Sequence, residues 1–259
     1  MNNIAKAFQK GKAFIAFVTA GDPSPEKTVE YILEMEKAGA DLIQLGIPFS
    51  DPTAEGPVIQ AANIRALRGG ITTDKVFGIV ADLRKKSRIP VVFLTYLNPV
   101  FHYGYEAFFS KCEELGVDGI IIPDMPYEEK GEIAPFAAAH HVSIVPFIAP
   151  TSEQRIRMIA KDADGFIYVV SSMGVTGMRK EIKTDIASIV ESIRAVTDVP
   201  TAVGFGITTP EQARQIAAVS DGVIVGSAIV NIIGEYGDNA AEPLSAYVRS
   251  MKDAAVKAV

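Results

Sequence analysis

The stretch AFIAFVTAGDPSPEKTVEYILEMEKAG, residues 13–39, sets the frame for the whole chain. Its first nine residues form a short apolar run without polar alternation. That is the pattern of a strand buried on both faces of a parallel sheet. Ser24 then stands as a helix N-cap with Pro25 at the first helical position. Apolar residues recur beyond it with a period near 3.6, the mark of an amphipathic helix. The connection reads VTAGDPSPE and lacks the G-x-G-x-x-G turn that a doubly wound dinucleotide-binding sheet places after its first strand.

The same strand–helix unit repeats along the chain. Further strands are predicted in DLIQLGIP, PVVFLTY, GIIIPD, SIVPFIAP, GFIYVVS, PTAVGFGI and DGVIVGSAIV. Between them lie helical patterns, including VIQAANIRALRGG, TTDKVFGIVADLRKKS, YEAFFSKCEELG, EEKGEIAPFAAAHH, SEQRIRMIAKDA, DIASIVESIRAVT and TPEQARQIAAVS, and EPLSAYVRSMKDAAVKAV closes the chain. Eight such units in 259 residues, with no Pro-, Gly- or Ser-rich linker, predict one (β/α)8 barrel domain over residues 1–259, preceded by a short extra N-terminal helix.

Composition narrows the function. The net charge is −6, which speaks against nucleic-acid binding. The lone cysteine, Cys112, excludes an intrachain disulfide and reads as a structural thiol in a reducing compartment. The N-terminus shows no signal-peptide pattern, and no run approaches the length of a membrane span. A cytoplasmic protein is expected. The three histidines, His102, His140 and His141, have no metal-ligand spacing, so no metal site is predicted.

In a (β/α)8 barrel the chemistry sits at the C-terminal ends of the strands. The polar and aromatic residues there are Phe17, Asp22, Gln44, Asp51, Glu55, Tyr96, Asn98, Asp124, Tyr168, Phe205 and Ser227. Glycines at the ends of strands six to eight, Gly177, Gly206 and Gly226, with Ser227, suit a phosphate bound by backbone N–H groups and a helix N-terminus. Phe17, Tyr168 and Phe205 suit a flat aromatic group, and equally ordinary barrel packing. Gln44 is a polar residue on an apolar strand, so it is either a satisfied core amide or a site residue. Asp51 fits a turn, and Glu55 fits the approach to a helix N-terminus.

The segments FVTAGDPSPE, LGIPFSDPTAEGPVIQ, TYLNPVFHYG, IIPDMP, VSSMGVTG, VGFGITTPEQ and DGVIVGSAIV resemble, in order and over essentially the whole chain, the alpha chain of tryptophan synthase. That resemblance implies retro-aldol cleavage of indole-3-glycerol phosphate to indole and glyceraldehyde 3-phosphate. It implies no cofactor on this chain and an α2β2 complex with a beta chain that carries pyridoxal phosphate and receives the indole. By the same resemblance, Phe17, Ile148, Tyr168 and Phe205 line the indole pocket, and Gly206, Gly226 and Ser227 bind phosphate. Thr176 and Gly177 lie in a loop that closes over substrate. Asp51 and Pro52, with Asp124 and Pro126, face the beta chain.

At the two catalytic positions the chain departs from the family. The family's Glu at the end of strand two is Gln44, and its Asp in the following loop is Glu55. An amide has no useful proton-transfer equilibrium near neutral pH. Gln44 is therefore compatible with three readings. It is an introduced substitution that traps substrate, or a natural loss of catalysis in a subunit that binds substrate and activates its partner, or part of an active enzyme that draws its acid from Glu55.

Overall fold

The computed structural model describes residues 3–170 and 185–258. Strands run as β1 (Ala13–Thr19), β2 (Leu42–Gly46), β3 (Val91–Leu94), β4 (Gly119–Ile121), β5 (Ser143–Ile144), β6 (Phe147–Ile148), β7 (Ile167–Val170), β8 (Thr201–Gly204) and β9 (Gly222–Val225). Their order in the sheet is β5-β4-β3-β2-β1-β9-β8-β7-β6, and every pairing is parallel. The expected fifth strand is thus two short pieces. Pro146 breaks it, because proline has no N–H to give a ladder. Val145 N still donates to Ile120 O on the β4 side, at 2.9 Å, while Pro146 O accepts from Tyr168 N on the β7 side, at 3.0 Å. The chain changes partner at this proline, and through it the two ends of the sheet meet and close the barrel.

The helices are α1 (Asn3–Phe8), α2 (Pro25–Lys37), α3 (Pro57–Arg68), α4 (Thr73–Arg84), α5 (Leu97–Tyr103), α6 (Tyr105–Leu115), α7 (Ala134–Ala139), α8 (Glu153–Lys161), α9 (Ile186–Arg194), α10 (Pro210–Val219), α11 (Ser227–Tyr236) and α12 (Ala241–Val256). Ser24 caps α2 as expected, its side chain accepting from Lys27 N, with Pro25 in the first turn. Three assignments differ from the sequence reading. The helix expected over 128–141 is a 3-10 turn, Tyr127–Glu132, followed by α7, which restarts with Pro135 in its first turn. The eighth strand stops at Val225, and the apolar SAIV opens α11 instead. The segment LNPVFHY, given no element from sequence, is α5.

Two apolar regions follow from the pleat. In a strand, successive side chains point to opposite faces. Phe14, Ala16 and Val18 of β1 join the large cluster between sheet and helices. Ile15 and Phe17 join the cluster that fills the barrel, with Leu42, Val92, Leu94, Ile121, Phe166, Tyr168, Ala202 and Ile224. The helix α1 plugs the N-terminal end of that interior. Its Ile4 and Ala7 are buried there, and Phe8 meets Phe166 at a ring-centroid distance of 5.9 Å.

A repeated device pins the strands at this same end. An aspartate just before a strand accepts a bond from the start of a neighbouring strand. Asp41 takes Phe14 N at 2.7 Å, Asp118 takes Val91 N at 2.9 Å, and Asp221 takes Thr201 N at 2.8 Å. Each carboxylate also faces a cation, Lys252, Arg84 and Arg194 respectively. These bonds fix the relative height of adjacent strands. Asp118→Ala leaves the buried Val91 N–H without its acceptor, and urea denaturation should show a loss of about 1–3 kcal/mol.

Candidate active site

A cavity opens at the C-terminal ends of the strands. Strands supply Phe17, Gln44, Leu94, Phe147, Tyr168 and Ile224 to its wall. The loop after β2 supplies Ala54 and Glu55, the loop after β8 supplies Phe205 to Thr208, and Gly226 and Ser227 come from the junction of β9 and α11. Of the residues singled out in the sequence, Phe17, Gln44, Glu55, Tyr168, Phe205, Gly206, Gly226 and Ser227 meet in this one space.

Gln44 owes its place to strand register. It pairs with Phe17 on one side and Val92 on the other, both of which point into the barrel. Its side chain therefore points inward too. It is buried, and its Oε1 meets no hydrogen-bond donor among the described residues. A buried amide oxygen without a donor is costly.

Glu55 lies at the end of the loop that leads into α3, two residues before Pro57, and is only 5% exposed. Asn63, one to two turns along α3 and itself buried, donates to Glu55 Oε2 at 2.7 Å. Gln60 Nε2 donates to the Glu55 carbonyl at 2.7 Å, and Ala54 N donates to the buried Tyr96 hydroxyl at 3.1 Å. Burial disfavours the carboxylate and pushes the Glu55 carboxyl up to about 7, against the Asn63 bond, which favours the charged form. Among the described residues no cation forms an ion pair with it.

Aromatic rings make the opposite wall. Tyr168 packs on Phe147 at 4.5 Å between centroids and on Phe205 at 6.0 Å, edge-on. Space for these rings comes from glycine. A Cβ on Gly204 would collide with the ring and hydroxyl of Tyr168, and one on Gly46 would come within 2.8 Å of the Phe17 ring. Phe205 holds φ at 75° and Gly206 at 80°. For a phenylalanine that is an uncommon, strained conformation, of the kind that clusters at binding sites. Gly226 is the N-cap of α11, and with Ser227 it brings the start of that helix to the cavity lining.

Other sequence candidates lie elsewhere. Ile148 does not reach the cavity. It pairs with Val169, which faces the helices, so its side chain is buried in the outer core, and its neighbour Phe147 faces inward opposite Tyr168. The break at Pro146 hides this parity in the sequence. Asp51, Asp124 and Pro126 are exposed and Pro52 half-buried, on the loops after β2 and β4. Asp124 Oδ1 accepts from Leu97 N, at the start of α5 after β3, at 3.0 Å. Thr176 and Gly177 fall outside the described residues. Phe147, Leu94 and Asn63 were missed in the sequence. The first two look like ordinary core residues, and Asn63 lies eight residues from its partner, where no local spacing rule points to it. Among the described residues no group of His, Cys, Asp and Glu side chains could hold a metal ion.

The sequence model of the family described as "Tryptophan synthase alpha chain" matches residues 4–257. A tryptophan synthase alpha chain of Lacticaseibacillus casei is 49% identical over 252 residues, covering 97% of this chain and 95% of the relative. That of Lactiplantibacillus plantarum is 50% identical, covering 98% and 96%. Among solved structures, the tryptophan synthase alpha chain of Legionella pneumophila superposes with a TM-score of 0.87 at 38% identity, over 98% of this chain and 97% of the other. A chain from the tryptophan synthase a2b2 complex of Pyrococcus furiosus gives 0.86 at 35% identity, over 93% and 98%.

The glycine at 204 makes a sharp test of the aromatic wall. Gly204→Ala should cost about 1–3 kcal/mol in denaturant unfolding through overpacking against Tyr168. A paired Tyr168→Leu change should recover part of that loss.

Proposed function

Because the chain belongs to the tryptophan synthase alpha chain family, we propose that its barrel mouth cleaves indole-3-glycerol phosphate to indole and glyceraldehyde 3-phosphate. The observation that carries this assignment is the single cavity itself. It combines a wall of aromatic rings, a buried carboxyl and a glycine-rich helix start, which match the three chemically distinct parts of that substrate. The indole ring lies against Phe17, Tyr168, Phe205 and Phe147. The phosphate lies at Gly206, Gly226 and Ser227, where backbone N–H groups and the α11 dipole favour an anion. The scissile bond then falls between these ends, in the part of the cavity that Gln44 and Glu55 line.

The chain acts as one barrel domain with a partner. The Pyrococcus furiosus relative comes from an a2b2 complex, and the same assembly is assigned to this chain. Asp51, Pro52, Asp124 and Pro126 are assigned to the contact with the beta chain, which carries the pyridoxal phosphate. They sit on the loops after β2 and β4, at the strand ends where the cavity opens. Phe101 on α5, the helix that follows the intervening β3, is 66% exposed. Among the described residues no helix is long and apolar enough to cross a membrane, and Cys112 is buried with its thiol pushed up by that burial. A cytoplasmic setting fits both.

Indole release from indole-3-glycerol phosphate, measured with and without a beta chain, tests the reaction. Ser227→Asp would place a negative charge at the helix start. It should weaken binding of glycerol 3-phosphate by at least about tenfold in calorimetry, through like-charge repulsion. Unchanged binding would remove the phosphate from this corner of the barrel.

A further inference from the structure

We infer that Glu55 moves the proton in both halves of the cleavage, with Asn63 as its positioning residue and Gln44 as a neutral neighbour. The inference rests on the reading of the site given above and goes further by assigning the acid–base group of this particular chain.

Elimination points to Glu55 first. Among the described residues that line the cavity, only Glu55 and Tyr168 carry an ionisable group. Burial pushes the Tyr168 hydroxyl above its ordinary value, so it is a poor proton donor and its anion is inaccessible at neutral pH. Gln44 offers an amide, which neither gives nor takes a proton there. The remaining group is a carboxyl that is 5% exposed and lines the same cavity as Gln44.

Its setting suits the task. A general acid works best with a value near the working pH, and burial lifts the Glu55 carboxyl to about 7. Asn63 holds Oε2, and the bond from Gln60 to the Glu55 carbonyl fixes the backbone behind it. The side chain is thus held in place without a cation that would lock it as a carboxylate.

The step balances as follows. The protonated Glu55 gives its proton to C3 of the indole ring, and the ring nitrogen takes up the positive charge. The resulting carboxylate accepts the proton of the glycerol hydroxyl on the carbon bonded to C3. The O–H electron pair becomes the aldehyde C=O, the C3–carbon bond breaks, and its pair returns to the ring. Indole leaves with its new C3–H, glyceraldehyde 3-phosphate leaves as the aldehyde, and Glu55 is again protonated. In this scheme the Gln44 Oε1, which meets no donor among the described residues, accepts a hydrogen bond from substrate.

The test is the pH dependence of kcat/KM for indole release in four proteins, the native chain, Glu55→Gln, Asn63→Ala and Gln44→Glu, with glycerol 3-phosphate binding measured in each. The native rate should fall as pH rises through about 7, because the free enzyme must start protonated. Glu55→Gln should lower kcat by about 10²–10⁴-fold and remove that limb. Asn63→Ala should move the limb to higher pH, since the lost bond favoured the carboxylate, a shift that a merely structural role would not produce. Gln44→Glu places a second carboxyl nearby, so it should also move the limb upward and gain less than about tenfold in rate. The inference is overturned if Glu55→Gln keeps the limb, or if the native chain binds glycerol 3-phosphate yet cleaves only as Gln44→Glu. If no protein binds glycerol 3-phosphate, the reading of the site falls together with it.

Discussion

The in-register parallel pairing of β1, β2 and β3 is the constraint on which the rest depends. Phe17, Gln44 and Val92 are partners in one row, and a parallel ladder keeps partners on the same face. A slip by one residue would turn Gln44 toward the helices and Leu45 into the barrel. The aspartates at the strand starts oppose such a slip, because each fixes a backbone N–H of a neighbouring strand and is itself held by a cation. Stability is thus concentrated at the N-terminal end of the barrel. The opposite end carries the strained Phe205, the amide oxygen of Gln44 and the buried Glu55.

That division has an energetic consequence. An acid whose folded value is raised stabilises the fold fully only below its unfolded value, near 4.5, and that contribution is lost as pH rises toward the folded value near 7. Above that range the folded state carries a buried carboxylate, at a cost of roughly 3 kcal/mol. That cost is what remains after the Asn63 bond, which favours the charged form, has been counted. Among the described residues Glu55 is buried and bonded to Asn63 but forms no ion pair with a cation.

Glycine contributes in a specific way. At 204 and 46 its role is not turn geometry but the absence of a Cβ, which lets the rings of Tyr168 and Phe17 lie close over the sheet. At 206 the positive φ extends the unusual backbone begun at Phe205 and carries the chain around the cavity rim. Together they shape a space lined by aromatic rings and by a glycine-rich helix start.

The barrel was legible in the sequence because short buried runs and capped amphipathic segments are local patterns, and eight repeats of one unit leave few alternatives. Most of the cavity residues were legible too, since strand ends can be read once the strands are. Where the pattern failed, the reason was physical. Pro146 breaks strand five, so the inward residue is Phe147 and Ile148 faces outward. SAIV is apolar enough for a strand, but the chain turns at Gly226 and packs it as a helix. The sequence by itself determined the fold class, the family likeness and the replacement of an acid by Gln44. Only the tertiary structure decided that Glu55 is buried in the same cavity, held by Asn63 and, among the described residues, without an ion-paired cation. Burial and charge pairing are properties of the assembled neighbourhood, and no local spacing encodes them.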